Sequence, residues 1–410
     1  MTHEAPHAAV AAGAPTPVLR RAVAEDLRDI ARVDGRAFGV HYEDQDLHDI
    51  RLVFDPQRFL LACDPGDGAV VGVAGSFPFA VTPPGGRPIP TEGVTWVSVP
   101  ATHRRRGILR MMIDELHRGY VDDGVPLALL TASEGGIYGR FGYGPATAGR
   151  STEIDRLQTV FRSGVADPGG VRYAETDEVH LHAPDIHRRW CARSPGAVSR
   201  SDEWWALMLL DRPHQRRGGT ARFHLLHPDG YAAYRIDGGT CRVVDFFAVT
   251  ADAHLALWRL LLSLDLVKTV TTDCLTGDDP LPWLLTDARA VRTTAVTDGL
   301  WARVLDVPAV LAARSYAVEV DTVLEVSDPT LGRGGRFRLR GGPDGAHCTP
   351  TSDAVDLHLH ITALGSVAFG GTRAGTLARA GLVSAVDDRC LRRFDVACTT
   401  DREPRGGTGF

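Results

Sequence analysis

Hydrophobic and polar positions change period along this chain, and each change marks an element. Residues 19–38 (LRRAVAEDLRDIARVDGRAF) predict a strand and then a helix. Glu25 and Asp26 put acids at the helix start, and Leu27, Ile30, Val33 and Phe38 give one apolar face. Residues 40–54 carry Glu43, Asp44, Asp46 and Asp49, which predict a solvated helix; the functional alternative is an acidic wall that recruits a cationic amine. Residues 70–81 read as a strongly apolar strand. Thr82-Pro83-Pro84-Gly85-Gly86 turns it back into a β-rich run over residues 94–99, a hairpin signal. Leu109, Met112, Ile113, Leu116 and Tyr120 then recur at helical spacing, and residues 127–131 return to strand.

Beyond Gly144 the rhythm starts again. Residues 223–235 (FHLLHPDGYAAYR) predict two strands around a Pro-Asp-Gly turn, 241–249 a further strand and 253–264 a helix. After about residue 307 the pattern changes: a helix over 308–314, strands over 318–326 and 336–339, alternation over 355–361 and a small-residue helix over 375–385. Asp356, His358 and His360 stand two apart and so share one strand face. No further ligand matches their spacing, so the face reads as half-buried and polar, with no metal. His180, His182 and His187 read as structural in the same way.

A chain of 410 residues suggests two or three domains, each able to build its own core. The expected divisions are a disordered Ala/Pro-rich arm over 1–18, then domains over 19–155, 156–304 and 305–410, α+β in class with α/β units. The arm has no basic n-region, so it does not read as a signal peptide. A net charge of −6 argues against nucleic acid as the main partner, and no apolar run approaches a membrane span. The seven cysteines are scattered, odd in number and never spaced CxxC, which suits a reducing cytoplasm. Lys268 is the single lysine, so a Schiff base is disfavoured and arginine carries the basic surface.

Chemistry concentrates where the strand over 94–99 gives way to the helix. There His103-Arg104-Arg105-Arg106-Gly107 sets three guanidinium groups beside helix-start amides and the positive end of the dipole, with a glycine that permits close approach. The arrangement reads as a pyrophosphate cradle. The second unit repeats strand, turn and helix at residues 250–252, but Thr250 is a capping residue and Asp252 a carboxylate that would repel phosphate. That unit is expected to have no cofactor site, to wall the first unit's cleft and to carry an interface.

The loop Arg104-Arg105-Arg106-Gly107-Ile108-Leu109 resembles the [Q/R]xxGx[G/A] signature of the GNAT superfamily of N-acetyltransferases, departing at Leu109, where a small residue is usual. Ile137-Tyr138-Gly139-Arg140-Phe141-Gly142-Tyr143 resembles the FYxxxGF signature of the same superfamily, and residues 364–385 resemble the sterol carrier protein fold. From residue 19 onward the chain resembles the Eis (enhanced intracellular survival) acetyltransferases of actinobacteria, most specifically in PATHRRRGILR, ASEGGIYGRFGYGPAT, LLHPDGYAAYR and VTADAHLALWR. The resemblance implies tandem GNAT folds, the second degenerate, with a C-terminal sterol-carrier-like domain. It implies acetyl-CoA contacts at Val97, Ser98, Val99, Arg105, Arg106, Gly107, Ile108, Leu109, Arg110, Ser133 and Glu134, with Tyr138 as proton donor and the terminal carboxylate of Phe410 as proton acceptor. Phe38, Trp96, Glu43 and Asp44 would line the amine pocket. Gly409 and Val40 stand where relatives can carry acids, so that pocket is expected to be less negative. A homohexamer, and aminoglycosides or other amines as acceptors, follow from the same resemblance. Peptide lysine acetylation, an idle acetyl-CoA-binding assembly protein and a lipid carrier are the alternatives.

The roles make chemical sense. An alkyl ammonium with a pKa near ~10.4 must lose a proton before it can attack a thioester. Between residues 94 and 143 only Glu134 or His103 could otherwise take it. A chain-end carboxylate becomes a stronger base when desolvated. A thiolate leaving at ~8.5 is within easy reach of a phenol. Backbone N–H groups of residues 97–99 would bond the acetyl carbonyl. Tyr143 closes the motif and reads as the core aromatic. On composition alone the tail Arg405-Gly406-Gly407-Thr408-Gly409 reads as disordered.

Overall fold

The computed structural model describes residues 16–410. The chain forms two units: one from residues up to Phe77 with Gly93–Gly124, the other from Pro78–Glu92 with Val125–Phe410. Most of the expected arm, residues 1–15, lies outside the described residues, and Val18 already belongs to the first strand.

The first unit contains β1 (Val18–Arg21), α1 (Leu27–Phe38), α2 (Asp44–Ile50), β2 (Phe59–Cys63), parts of β3 (Val70–Val81) and β4 (Ile89–Ser98), and α3 (Ile108–Asp122). β1, β2 and β3 pair antiparallel, Val18 opposite Cys63 and Phe59 opposite Gly75. β2 is buried at every position, as a strand covered on both faces must be. α3 buries Ile108, Met112, Ile113, Leu116, His117 and Tyr120. Leu109, expected on that face, is only half-buried, and Ile108 takes its place one residue earlier. A Cβ on Gly72 would lie 2.9 Å from Ile108, so the glycine in β3 lets α3 sit close. α1 buries Leu27, Ile30, Ala31 and Val33, but Phe38 at its end is 49% exposed. α2 departs from the solvated helix expected. Asp46 and Asp49 are buried, Asp46 accepting from the Glu43 amide at 2.9 Å as part of a capping box.

The second unit continues with β5 (Leu127–Thr131), β6 (Gly144–Pro145), β7 (Ala148–Asp155), β8 (Arg172–Ala174), α4 (Thr176–Cys191), α5 (Asp202–Leu209), β9 (Phe223–His227), β10 (Gly230–Asp237), β11 (Thr240–Ala248), α6 (Ala251–Ser263), β12 (Thr269–Thr272), α7 (Leu281–Leu284), β13 (Val291–Asp298) and β14 (Leu300–Val304). It ends with α8 (Val307–Ala312), β15 (Val320–Ser327), β16 (Gly335–Gly342), β17 (Gly345–Pro350), β18 (Leu357–His360), α9 (Ile361–Val367), α10 (Ala374–Arg379), β19 (Val383–Ala385) and α11 (Asp388–Ala397). One sheet runs β13-β7-β12-β11-β10-β9-β8 and another β17-β16-β15-β18-β19.

The sheets do not break at residues 155 and 304. β7, expected in the first domain, pairs with β12 and β13, while β14, expected in the second, lies between β5 and β6. Pairing across more than a hundred residues leaves no mark in local periodicity. The small-residue helix expected over 375–385 stops at Arg379; Gly381 takes a left-handed φ of 75° and the chain re-enters the sheet as β19. Asp356, His358 and His360 have separate structural partners: the Val323 amide at 2.8 Å, Glu325 at 2.7 Å and the Thr362 amide at 3.2 Å.

Two features of the FYxxxGF-like segment serve packing. Gly142, at φ 87°, lies so close to Arg303 that a Cβ would stand 2.7 Å from its Nε. Arg303 on β14 is fully buried and bonds both oxygens of Asp328 at 2.9 and 2.8 Å. Burial pushes the Asp328 carboxyl up, and the guanidinium outweighs it, holding the group below its usual range. A Cβ on Gly144 would meet the Thr362 carbonyl at 2.0 Å, and one on Gly365 the Ala302 carbonyl at 2.3 Å. These two glycines let α9 lie directly on β6 and β14, welding the C-terminal domain to the strands before it.

Two buried histidines are held below the ordinary value. Burial, then Arg200 and Arg405, hold His187 well below its ordinary value; burial, then Arg222, holds His224 at about 4. Unfolded histidine titrates near ~6.5, so below that pH the unfolded chain takes up protons that the folded chain refuses. Stability is therefore expected to fall as pH drops from ~6.5, His224 alone costing roughly 3 kcal/mol by pH ~4. Urea melts between pH 7 and 4.5 check this, and His224→Gln should flatten the slope.

Candidate active site

In the first unit, β4 leads through residues 99–107 into α3. Arg105 has φ 64° and Gly107 φ 78°, so two residues of the loop turn left-handed within three positions. Such alternation aims successive amides to one side and makes an anion-binding concavity. Among the described residues, the amides of residues 105–109 have no hydrogen-bond acceptor, and the helix ladder begins with Met111 donating to Gly107 at 3.0 Å. Arg104, Arg105, Arg106 and Arg110 are all exposed around them. Arg104 and Arg106 rest on the Val99 and Thr102 carbonyls at 3.4 and 3.2 Å. The loop keeps unpaired donors and guanidinium groups together on its open side, which suits a pyrophosphate.

β4 is irregular just before this loop. Trp96 has φ 52°, which costs an ordinary residue roughly 1–3 kcal/mol, so its surroundings must hold it. Its ring stacks on Tyr42 at 5.4 Å and meets the edge of Phe59 at 6.1 Å. The Tyr42 hydroxyl donates to Asp34 Oδ2 at 2.7 Å, and Ser98 Oγ donates to Asp34 Oδ1. One buried carboxylate on α1 thus fixes both the stacking partner of Trp96 and a side chain of the expected acetyl-CoA strand. The sequence reading passed over Asp34. Its signal was an acid in phase with Leu27, Ile30 and Ala31, where the helix face demands an apolar residue. Glu43 caps α2, and Asp44 pairs with Arg28 at 3.0 Å while 82% exposed.

In the second unit, Ser133 and Glu134 are exposed in the loop after β5, and Tyr138 follows in a single 3-10 turn. Tyr138 is 6% exposed and its ring meets that of Tyr143, itself fully buried, at 5.9 Å. Burial, then the Glu134 carboxylate, pushes the Tyr138 phenol up to about 12. That overturns the easy match to a thiolate expected from ordinary values.

The chain end is ordered, contrary to its composition. After a turn in which Gly196 takes a left-handed φ of 78°, the chain straightens and Val198 bridges Val81 at the end of β3. On its other side Val198 N donates to the Gly406 carbonyl at 2.9 Å, and Arg405 N to the Pro195 carbonyl at 2.9 Å. Thr408 Oγ1 donates to the Val198 carbonyl at 2.8 Å. Phe410 packs on Phe79 of β3 with ring centroids 5.1 Å apart, and Phe79 on Trp204 at 5.1 Å. Phe410 is thereby brought to a defined place with Phe79 and Trp204, Tyr138 lies with Tyr143 and Glu134, and Trp96, Ser98 and the arginines belong to the first unit.

Comparison with known proteins fits these observations. Residues 18–146 and 196–304 each match an acetyltransferase (GNAT) domain family, and residues 307–405 match a sterol carrier protein domain. The chain is 45% identical over 344 residues to the N-acetyltransferase Eis of Mycobacterium tuberculosis, covering 81% of this chain and 84% of that protein. An uncharacterized N-acetyltransferase of Streptomyces coelicolor is 38% identical over 363 residues, 83% and 86% of the two chains. The crystal structure of Eis1 from Mycobacterium abscessus superposes with a TM-score of 0.85 at 32% identity, covering 96% of this chain and all of that one. A GCN5-related N-acetyltransferase from Anabaena variabilis shares the fold, with a TM-score of 0.83 at 17% identity over 96% of this chain and all of that one. The 45% identity over 81% of the chain, the two GNAT domains and the sterol carrier protein domain place this chain in the Eis family of acetyl-CoA-dependent N-acetyltransferases.

Proposed function

We propose that the chain moves the acetyl group of acetyl-CoA directly to a primary amine of a small molecule, an aminoglycoside or another polyamine-like compound. The observation that carries this reading is the order of the glycine-rich chain end, which seats Phe410 against Phe79. A loose tail could not present a base. In this reading Arg105, Arg106 and Arg110 with the amides of Gly107, Ile108 and Leu109 hold the pyrophosphate of acetyl-CoA. Ser133 and Glu134 add contacts to it. Backbone N–H groups over Val97, Ser98 and Val99 polarise the acetyl carbonyl. The Phe410 carboxylate accepts the proton that the substrate ammonium must lose, and Tyr138 donates to the departing sulfur. Solvent returns the proton held by Phe410 to Tyr138 and takes the second proton that the nitrogen loses as its bond to the acetyl carbon forms and the carbon–sulfur bond breaks, so ammonium and thioester become amide, thiol and one released proton.

The acidity of Tyr138 shapes its part. A phenol at about 12 stays protonated at every working pH, so a donor is always present. Full transfer to a thiolate of ~8.5 is uphill by roughly 3.5 units, about 5 kcal/mol. The phenol therefore acts first as a hydrogen-bond donor to developing negative charge. Phe38 and Trp96 would supply the apolar wall of the amine site. Glu43 and Asp44 would add less charge than free carboxylates, being a helix cap and an ion-pair partner. A homohexamer in the cytoplasm belongs to the same reading, supported by likeness to the family.

Thiol release from acetyl-CoA across aminoglycosides, polyamines, peptide lysines and arylamines tests the acceptor class. Aminoglycosides or polyamines should give the highest kcat/KM; a preference for peptide lysines would move the assignment to protein acetylation. Release without any acceptor dependence would mean an idle or hydrolytic binder, and co-purifying lipid a carrier. Tyr138→Phe should lower turnover about 10²-fold or more with an unchanged urea midpoint, whereas Tyr143→Phe should keep turnover. The opposite ranking rejects Tyr138 as donor. Adding a few residues after Phe410 should silence turnover without unfolding the protein; normal turnover in the lengthened chain would place the base elsewhere.

A further inference from the structure

The second acetyltransferase-like domain repeats the strand-to-helix junction of the first, β11 into α6 in place of β4 into α3. At this junction Thr250 Oγ1 accepts from the Ala253 amide at 3.2 Å, and Asp252 puts a carboxylate in the first turn, where it disfavours an anion. Beside it β11 and β12 run parallel only as far as Val243 and Thr272. Beyond that point β11 continues to Ala248 while the other chain turns away after β12, leaving a cleft of about 350 Å³. Thr250, Phe246, Cys274 and Asp278 are on its walls, and so are Glu403 and Arg405 of the chain's own tail.

The tail is bound there as a ligand would be. Arg405 Nη1 donates to the Phe246 carbonyl at 3.0 Å, and its guanidinium lies 5.5 Å over the Trp190 ring. Glu403 accepts from Arg150 at 2.9 Å and from the Gly277 amide, and its own amide donates to Asp278 Oδ2 at 2.8 Å. Two residues beyond Arg405 a second grip begins. Arg200, its side chain 1% exposed, bonds Asp245 at 2.7 and 3.2 Å. Its remaining donors reach the Gly407 carbonyl at 2.6 Å and Thr408 Oγ1 at 3.1 Å. Gly407 sits at φ 72° under Trp190, where a Cβ would come within 2.5 Å of the ring. Glycine is required there because both the backbone turn and the aromatic lid exclude a side chain.

From this geometry we infer that the second domain is a clamp for the C-terminus: its former cofactor cleft holds residues 403–405, and Arg200 fixes residues 407–408, so that the terminal carboxylate is delivered at a set position. Arg200 and Arg405 are positioning residues, acting through Phe410. The inference rests on the proposed role of that carboxylate, and the experiment separates the two. Binding energy from two grips replaces the conformational entropy that three glycines among the last five residues would otherwise keep.

The test is hydrogen exchange of the amides of residues 405–409 together with steady-state kinetics, on the full chain. Arg405→Ala removes the cleft contact, and Thr408→Val loosens the second grip while leaving the buried Arg200–Asp245 pair intact; Arg405→Lys is the conservative control. The two disruptive variants should exchange at least about tenfold faster in the tail and lose roughly a hundredfold in kcat, with KM for acetyl-CoA within about twofold and the urea midpoint little changed. Arg405→Lys should recover part of both. Unchanged tail exchange in both disruptive variants overturns the clamp. Faster exchange with normal kcat overturns the role of the carboxylate, and with it the purpose assigned to the clamp. Equal losses in Arg405→Lys and Arg405→Ala, accompanied by a lowered urea midpoint, would reduce Arg405 to a stability residue and overturn its positioning role.

Discussion

A short segment hydrogen-bonded on both edges holds the second unit's chain end in place. Residues 195–199 pair on one side with the end of β3, where Val198 faces Val81, and on the other with the tail, where Val198 donates to Gly406. Because every buried amide and carbonyl must find a partner, each edge of the segment commits a neighbour to one register. The tail's order comes from these backbone bonds, from its own Glu403, Arg405, Thr408 and Phe410 side chains, from Arg200 and from the Trp190 ring that closes over Gly407.

The same economy appears where domains meet within this unit. Gly144 and Gly365 bring α9 into backbone contact with β6 and β14, and Gly142 makes room for the Arg303 guanidinium. The Arg303–Asp328 pair is desolvated on both sides, so removing either partner would strand a buried charge. Glycines in and just after the FYxxxGF-like segment thus carry the join to the sterol-carrier-like domain, because close approach of backbone requires them.

In the first unit the balance is different. There the loop before α3 leaves donors unpaired, while the acids nearby are engaged by the fold. Asp34 holds Tyr42 and Ser98, Asp26 holds Arg20 at 2.6 Å, and Glu43 caps α2. Counting carboxylates along residues 40–54 therefore overstates the negative charge open to a substrate. The fixed aromatic pair of Tyr42 and Trp96 remains as the more distinctive surface of that region.

The sequence by itself determined the elements and the kind of chemistry. Apolar periodicity located β3, α3 and the β9–β10 hairpin, Thr250 announced its own cap, and the run of arginines before Gly107 marked the loop that leads into α3. These are local properties, written in spacings of two to four residues. Tertiary structure decided the rest: the exchange of β7 and β14 between sheets, the burial of Asp34, the raised phenol of Tyr138 and the order of the last residues. The strand exchange, the contacts of Asp34 with Ser98 and the ordered tail depend on partners tens to hundreds of residues away, so no window along the chain contains both halves of the interaction. The composition of the tail reads as disordered, and the buried arginine that binds it lies 207 positions away.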